Sequence, residues 1–110
     1  MPRPKCHRHI IGVPDEQYFK PRGIPSIELE EIVLHLDEFE AVRLADYEHL
    51  YQEQAAEKMN ISRQTFGRII DTAHQKIADV LINGKALRID GGDFALMKRK
   101  PADIQKRRKH

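Results

Sequence analysis

The sequence predicts a mainly α-helical domain with short flanking β-strands. Apolar residues recur at helical spacing over three segments, at about 37–48, 51–59 and 62–82. A short polar turn separates the last two segments, so that they predict a helix-turn-helix whose core is completed by the first helix. The chain has 110 residues, which suits one domain with one modest core.

The first 35 residues are expected to form a basic extended arm with possible short strands. An apolar run at 10–13 and a β-branched run at 32–34 are each typical of a short strand. Between these runs, Ile27 and Leu29 alternate with acidic residues, which indicates an edge strand or an extended arm.

The segment 37–48 is predicted to be the first helix. Asp37 is the predicted N-cap, and Glu40 follows three residues later, as in an acidic capping box. The helix should bury one broad apolar face against the other two helices. Its charged residues are expected on the opposite, solvent-facing side: Glu38, Glu40, Arg43, Asp46 and Glu48.

The turn between the second and third helices carries the most specific spacing in the chain. Ala56, a small residue, lies four residues before Asn60, and the apolar Phe66 and Ile69 lie six and nine residues after that turn residue. Asn tolerates the left-handed backbone of a tight turn, and Ser62 is a favourable N-cap. This register is typical of a DNA-binding helix-turn-helix, and an ordinary antiparallel helical hairpin is the alternative.

The third helix should end at Asn83-Gly84, because glycine is favoured just past a helix end. Residues 85–89 are expected to form a strand that pairs with residues 32–34 or with the N-terminal strand. The helix-turn-helix domain with this strand therefore spans 36–97. Residues 98–110 are too charged to pack and are expected to be a basic disordered tail.

Charge is segregated along the chain, although the net charge is only +2. Residues 28–57 contain ten acidic residues and one basic residue, whereas residues 98–110 contain seven basic residues and one acidic residue. Basic ends suit a polyanionic partner. The single cysteine excludes an internal disulfide and favours a cytoplasmic protein, and no apolar run approaches the ~20 residues of a membrane span.

Cys6, His7 and His9 lie close together in sequence and are the candidate metal ligands of the chain. No second cysteine follows, and a closed zinc site uses four ligands in spaced pairs. We therefore expect no metal and no cofactor. The sequence also shows no nucleophile–base pair, glycine-rich phosphate loop or paired catalytic carboxylates, so that an enzyme is not expected.

Four stretches of the chain resemble a known family in the same order. They are Arg3–Cys6, Leu36–Asp46, Gln52–Ile70 and Asn83–Ile89. They resemble domain-of-unknown-function family 134, also called uncharacterised protein family 0251, a group of small bacterial and archaeal proteins. The resemblance covers about residues 1–92 and implies DNA binding without an established target. It also implies a helical part that looks like region 4 of sigma factors.

Double-stranded DNA is the expected partner, with the third helix in the major groove. This predicts a sequence-specific regulator of transcription. Base contacts are assigned to Arg63, Gln64, Gly67 and Arg68, and phosphate contacts to Ser62, Thr65, Lys58 and Lys76.

One helix-turn-helix unit offers a small interface, so that a homodimer reading two half-sites is expected. Its interface is assigned to the N-terminal arm or to residues 84–97. A second hypothesis is a protein-interaction adaptor, for example for RNA polymerase, that uses the acidic block at 28–57. A third is a metal- or redox-responsive regulator that uses Cys6 and the nearby histidines.

Overall fold

The computed structural model describes residues 8–92 and 94–96, and these residues form three helices and five short strands. Helix α1 spans Leu36–Val42 and continues as a π-helical turn over Arg43–Tyr47. Helix α2 spans Gln52–Lys58, and α3 spans Arg63–Asn83. The expected mainly α-helical core with flanking strands is confirmed.

The strands lie before and after the helices in sequence. They are β1 (Arg8–Ile10), β2 (Tyr18–Phe19), β3 (Glu31–Leu34), β4 (Ala86–Ile89) and β5 (Phe94–Leu96). β4 is the central strand of a three-stranded sheet, antiparallel to β2 and parallel to β3. β1 and β5 form a separate parallel pair. The expected pairing of residues 85–89 with residues 32–34 is therefore confirmed.

The segment around Ile27 differs from the expected edge strand. Residues Ser26–Glu28 form a single turn of 3-10 helix. The turn closes locally, because the Glu28 N–H donates to the Pro25 carbonyl and the Leu29 N–H donates to the Ser26 carbonyl, both at 3.0 Å. The residues with the alternating pattern therefore begin in a turn, and the strand starts only at Glu31.

Two apolar clusters form the core, and α3 contributes to both. The first lies among the three helices and contains eight buried residues: Ala41, Leu44, Ala55, Ala56, Met59, Phe66, Ile69 and Ile70. The second joins the helices to the strands and contains Ile10, Leu34, Leu36, Ala73 and Ile89. Because the first half of α3 packs on helices and the middle packs on strands, α3 connects the two layers.

The start of α1 corrects the predicted N-cap. His35 occupies the cap position, and its N–H donates to Glu38 Oε1 at 2.9 Å. The Leu36 N–H donates to the Gly91 carbonyl at 2.8 Å, which fixes this helix start against the loop after β4. Asp37 therefore lies in the first turn, and the predicted cap at Asp37 with Glu40 is wrong.

The expected solvent-facing position of Glu38 and Glu40 is also wrong. Glu40 is only 2% exposed. Its carboxylate accepts two hydrogen bonds from the Arg43 guanidinium, at 3.0 and 2.8 Å, and the same guanidinium donates to Glu48 at 3.0 Å. A buried carboxylate needs such a bidentate partner, because its desolvation is costly when it is unpaired.

Candidate nucleic-acid interface

The turn between α2 and α3 is closed by its backbone. Asn60 has φ 61°, the left-handed conformation that the sequence predicts there. The Ile61 N–H donates to the Ala56 carbonyl at 3.0 Å, and the Ile61 side chain packs against the helical cluster. With Met59 and Phe66 fully buried, the start of α3 is held firmly against α2.

Ser62 is the N-cap of α3, as predicted. Its Oγ accepts a hydrogen bond from the Thr65 N–H at 3.1 Å and donates to Thr65 Oγ1 at 2.9 Å. The two contacts hold the Thr65 side chain beside the cap residue. The remaining first-turn amides of α3 stand at the positive end of the helix dipole, where a phosphate is favoured.

Three of the residues assigned to base contacts are exposed together on the first two turns of α3: Arg63, Gln64 and Arg68. We call these three the reader face. Gly67 lies beside them but is half-buried, because it faces the start of α2. A Cβ on Gly67 would lie 3.5 Å from Gln52 Oε1, an ordinary contact, so that Gly67 is not required by space within the molecule.

The sequence pattern did not single out Gln52 or Asp71. Gln52 is exposed at the first turn of α2 and lies next to Gly67. Asp71 and Gln75 are exposed and extend the line of Gln64 and Arg68 along α3 at spacings of three and four residues. The signal that could have found Asp71 is the helical periodicity of α3, which continues past Arg68 on the exposed side. Gln52 lies on α2 and has no such signal in the sequence.

The described residues contain ten lysines and arginines. Lys20 donates to backbone carbonyls, and Arg22 is exposed in the loop before β3. The other eight divide into two groups. Five form ion pairs with carboxylates: Arg8, Arg43, Lys76, Lys85 and Arg88. Within the part of the chain that the structure describes, Lys58, Arg63 and Arg68 form neither ion pairs nor side-chain hydrogen bonds, and all three are exposed. All three lie on the helix-turn-helix.

Lys76 is placed apart from the other assigned phosphate contacts. Its Nζ donates to Glu38 Oε1 and to the Val33 carbonyl, both at 2.8 Å. The side chain is 23% exposed, on the flank of α3 that faces β3. Because its ammonium is hydrogen-bonded within the fold, Lys76 is not part of the candidate interface.

The acidic block at 28–57 is largely neutralised by the fold. Six of its carboxylates form ion pairs with lysine or arginine: Glu30, Glu31, Asp37, Glu38, Glu40 and Glu48. Burial raises the pKa of Asp37, with the neighbouring Glu38 carboxylate adding to the effect. Most carboxylates of the block are therefore paired within the fold, which leaves fewer of them available to a basic partner.

The metal hypothesis rests mainly on residues outside the described part of the chain. Cys6 and His7 precede the first described residue. His9 lies in β1, where its N–H donates to the Met59 carbonyl at 3.0 Å. Residues 8–92 and 94–96 hold no group of three or more side chains placed to bind a metal ion, and no helix among them has the length and apolarity to cross a membrane.

Comparison with known proteins identifies relatives over most of the chain. A UPF0251 protein of Prosthecochloris aestuarii is 57% identical over 97 residues, which cover 88% of this chain and 61% of the relative. Another, from Syntrophobacter fumaroxidans, is 59% identical over 92 residues, or 84% of this chain and 59% of the relative. A third, from Caldanaerobacter subterraneus subsp. tengcongensis, is 53% identical over 94 residues, or 86% of this chain and 80% of the relative.

The chain thus spans less than two thirds of the length of two of these relatives. No solved structure matches the chain. The family described as protein of unknown function DUF134 matches residues 1–97. With this match and relatives of such high identity, the chain belongs to the DUF134 family.

Proposed function

We propose that the protein is a sequence-specific double-stranded DNA-binding regulator of transcription that reads the major groove with the first turns of α3. The observation that carries the proposal is the placement of Lys58, Arg63 and Arg68. These cations are exposed and unpaired within the described residues, whereas five other cations are tied to carboxylates. A helix-turn-helix that leaves its cations free at the start of its second helix suits a polyanionic duplex.

The reader face offers groups that match base edges. Arg63 and Arg68 can each donate a bidentate fork to guanine O6 and N7, and Gln64 can pair with adenine N6 and N7. Asp71, one turn further along, can accept a hydrogen bond from cytosine N4. These groups make the proposed interaction sequence-specific rather than only electrostatic.

Phosphate contacts are proposed for the groups around the turn. The Thr65 hydroxyl and the first-turn amides of α3 can donate hydrogen bonds to a phosphate, and Ser62 holds this turn in place. Lys58, in the last turn of α2, adds a flexible positive charge on the same unit. We also propose a cytoplasmic location, which the single cysteine and the proposed contact with DNA favour.

The test is selection of bound sequences from a random duplex library, followed by binding measurements on the selected half-site. Wild-type protein is expected to enrich a defined sequence. A variant with both Arg63→Ala and Arg68→Ala should lose that enrichment while keeping its circular dichroism spectrum. Arg88→Ala is the matched control, because it removes an arginine that the fold already pairs with Glu31 and Asp90.

Two results would contradict the proposal. One is that wild-type protein enriches no sequence and shifts no duplex at low salt. The other is that the double variant, still folded, binds the selected half-site as tightly as wild type. A half-site is used so that self-association of the protein does not enter the measured affinity.

A further inference from the structure

The side chain of Gln52 lies beside a gap in the surface of α3. Residue 67 is a glycine, so that α3 has no side chain at this position. Gln52 Oε1 lies 3.5 Å from the point that a Cβ on Gly67 would occupy. The carboxamide of Gln52, which belongs to α2, therefore stands next to the place where α3 lacks a side chain.

This place adjoins the reader face. Residues that are three or four apart are neighbours on the surface of a helix. Arg63 and Gln64 precede Gly67 by four and three residues, and both are exposed. Asp71, which is also exposed, follows by four residues. The Gln52 carboxamide is thus surrounded by the groups of α3 that are proposed to read bases.

The helix that carries Gln52 is fixed against α3. Ala55 and Ala56 of α2 are buried in the cluster among the three helices. The start of α2 is also held, because Gln54 Oε1 accepts a hydrogen bond from the Tyr51 N–H at 3.1 Å. A partner that approaches the first turns of α3 therefore meets Gln52 at a defined position.

The fold does not use the polar atoms of Gln52. Its neighbour Gln54 is engaged in the start of α2, as described above. Within the part of the chain that the structure describes, the Gln52 carboxamide forms no hydrogen bond, and its side chain is exposed. Its donor and acceptor groups are available to a partner without the loss of an internal bond.

The fold also gives no steric reason for a glycine at position 67. A contact of 3.5 Å is an ordinary van der Waals distance, so that alanine would fit there. Glycine in a helix interior is destabilising relative to alanine. A side chain longer than alanine would extend toward the Gln52 carboxamide and compete with it for the same surface. Glycine at this position therefore keeps the carboxamide accessible.

We propose that Gln52 determines sequence specificity by reading a base edge beside Gly67, in place of an α3 side chain. This inference rests on the proposed function. A carboxamide has one acceptor oxygen and a donor NH₂ group, and this set pairs with adenine N6 and N7. One base pair of the half-site is thus read from α2. A contact to phosphate would carry no sequence information, which makes the two roles distinguishable.

The test repeats the selection from a random duplex library with two variants of Gln52. Gln52→Ala should lower the preference for adenine at one position of the half-site about fivefold or more, and leave the other positions unchanged. Gln52→Glu should move the preference at that same position to cytosine, because a carboxylate accepts from cytosine N4. Both variants should keep the wild-type circular dichroism spectrum.

Gln17→Ala is the matched control. Gln17 is also an exposed glutamine, but it lies just before β2, outside the helix-turn-helix, and its side chain donates to the Pro14 carbonyl at 3.3 Å. This variant should select the same sequence as wild type at every position.

Two results would overturn the inference. One is that either variant of Gln52 keeps the wild-type preference at every position. The other is that Gln52→Ala weakens binding by the same factor on selected and random half-sites, which would place the carboxamide at a phosphate. If the wild type still selects its sequence through Arg63 and Arg68, the proposed function stands in both cases. A wild type that enriches no sequence would contradict the proposed function, and this inference with it.

Discussion

The two ends of α3 treat their cations in opposite ways. At the N-terminal end, Arg63 and Arg68 are exposed and unpaired within the described chain. Just past the C-terminal end, Lys85 is paired with Asp79 at 3.0 Å, and Arg88 is paired with Glu31 at 3.1 Å. The C-terminal end of α3 also exposes two aliphatic side chains, those of Leu81 and Ile82.

This difference separates cations that stabilise the fold from cations that are available to a partner. Hydrogen bonds from Asn83 and Lys85 lower the pKa of Asp79, as expected for a carboxylate that the fold keeps ionised. Among the described residues, neither Arg63 nor Arg68 forms an ion pair with a carboxylate. Charge count alone therefore does not separate the two kinds of cation, whereas the partner of each charge does.

The largest effect should come from the core under the reader face. Phe66→Ala removes a fully buried ring between α2 and α3 and should lower the free energy of unfolding by about 3–5 kcal/mol. Leu81→Ala, at the exposed end, should change it by less than about 0.5 kcal/mol in the monomer. Urea unfolding at low protein concentration measures both, and equal losses would contradict the difference between the ends.

The two helix caps give a smaller and more selective effect. Ser62→Ala loses the hydrogen bond to the Thr65 N–H and should cost about 1 kcal/mol of stability. Gly84→Ala should cost about the same, because φ at Gly84 is 65° and alanine is strained there. Only Ser62→Ala should also weaken half-site binding. If both caps weakened it equally, the proposed position of the phosphate contacts would be wrong.

The salt dependence of DNA affinity should distinguish Lys58 from Lys76. Lys58→Ala should reduce the slope of log affinity against log salt by ~0.9, because one phosphate contact is lost. Lys76→Ala should leave the slope unchanged while lowering stability, since its Nζ is bonded to Glu38 and Val33. Fluorescence anisotropy at several salt concentrations gives the slopes, and a changed slope for Lys76→Ala would restore it to the interface.

Asp37 and Asp79 should show opposite pH effects. Burial raises the pKa of Asp37 above 3.8, so that its charge destabilises the fold above that raised pKa and the penalty is relieved as pH falls toward 3.8. The lowered pKa of Asp79 contributes stability above pH 3.8 that is lost as pH falls through its folded value.

Urea midpoints measured from neutral pH down to about pH 3 compare the two aspartates. Asp37→Asn should be more stable than wild type at neutral pH. The difference between the two urea midpoints should then shrink as the pH falls. Asp79→Asn should be less stable than wild type at neutral pH and approach it in acid. If both variants were more stable than wild type at neutral pH, or both less stable, the assigned environments of the two carboxylates would be wrong.

The sequence was sufficient for the helix-turn-helix because its signals are local. The left-handed Asn60, the cap at Ser62 and the apolar spacing around Phe66 each depend on neighbours within one or two turns. The strand pairing of residues 86–89 with 31–34 was also predictable, because a single strand needs a partner and few segments were available.

The buried charges were not predictable, because their partners are distant or ambiguous in sequence. Glu38 is buried against Lys76, which lies 38 residues further along the chain. Glu40 pairs with Arg43, but the same spacing occurs on exposed helix faces. The sequence pattern of Lys76 likewise suits a phosphate contact, because its partner Glu38 is distant in sequence. The position of Gln52 beside Gly67 depends on the packing of α2 against α3.

We propose that the cations at the start of α3, and not those past its end, bind DNA. The most direct measurement compares Arg68→Ala with Arg88→Ala on the selected half-site at one salt concentration. Arg68→Ala should weaken binding by about 1–3 kcal/mol, or roughly fivefold to 150-fold, and Arg88→Ala should change it less than about twofold. Equal effects of the two variants, or a larger loss for Arg88→Ala, would contradict the account.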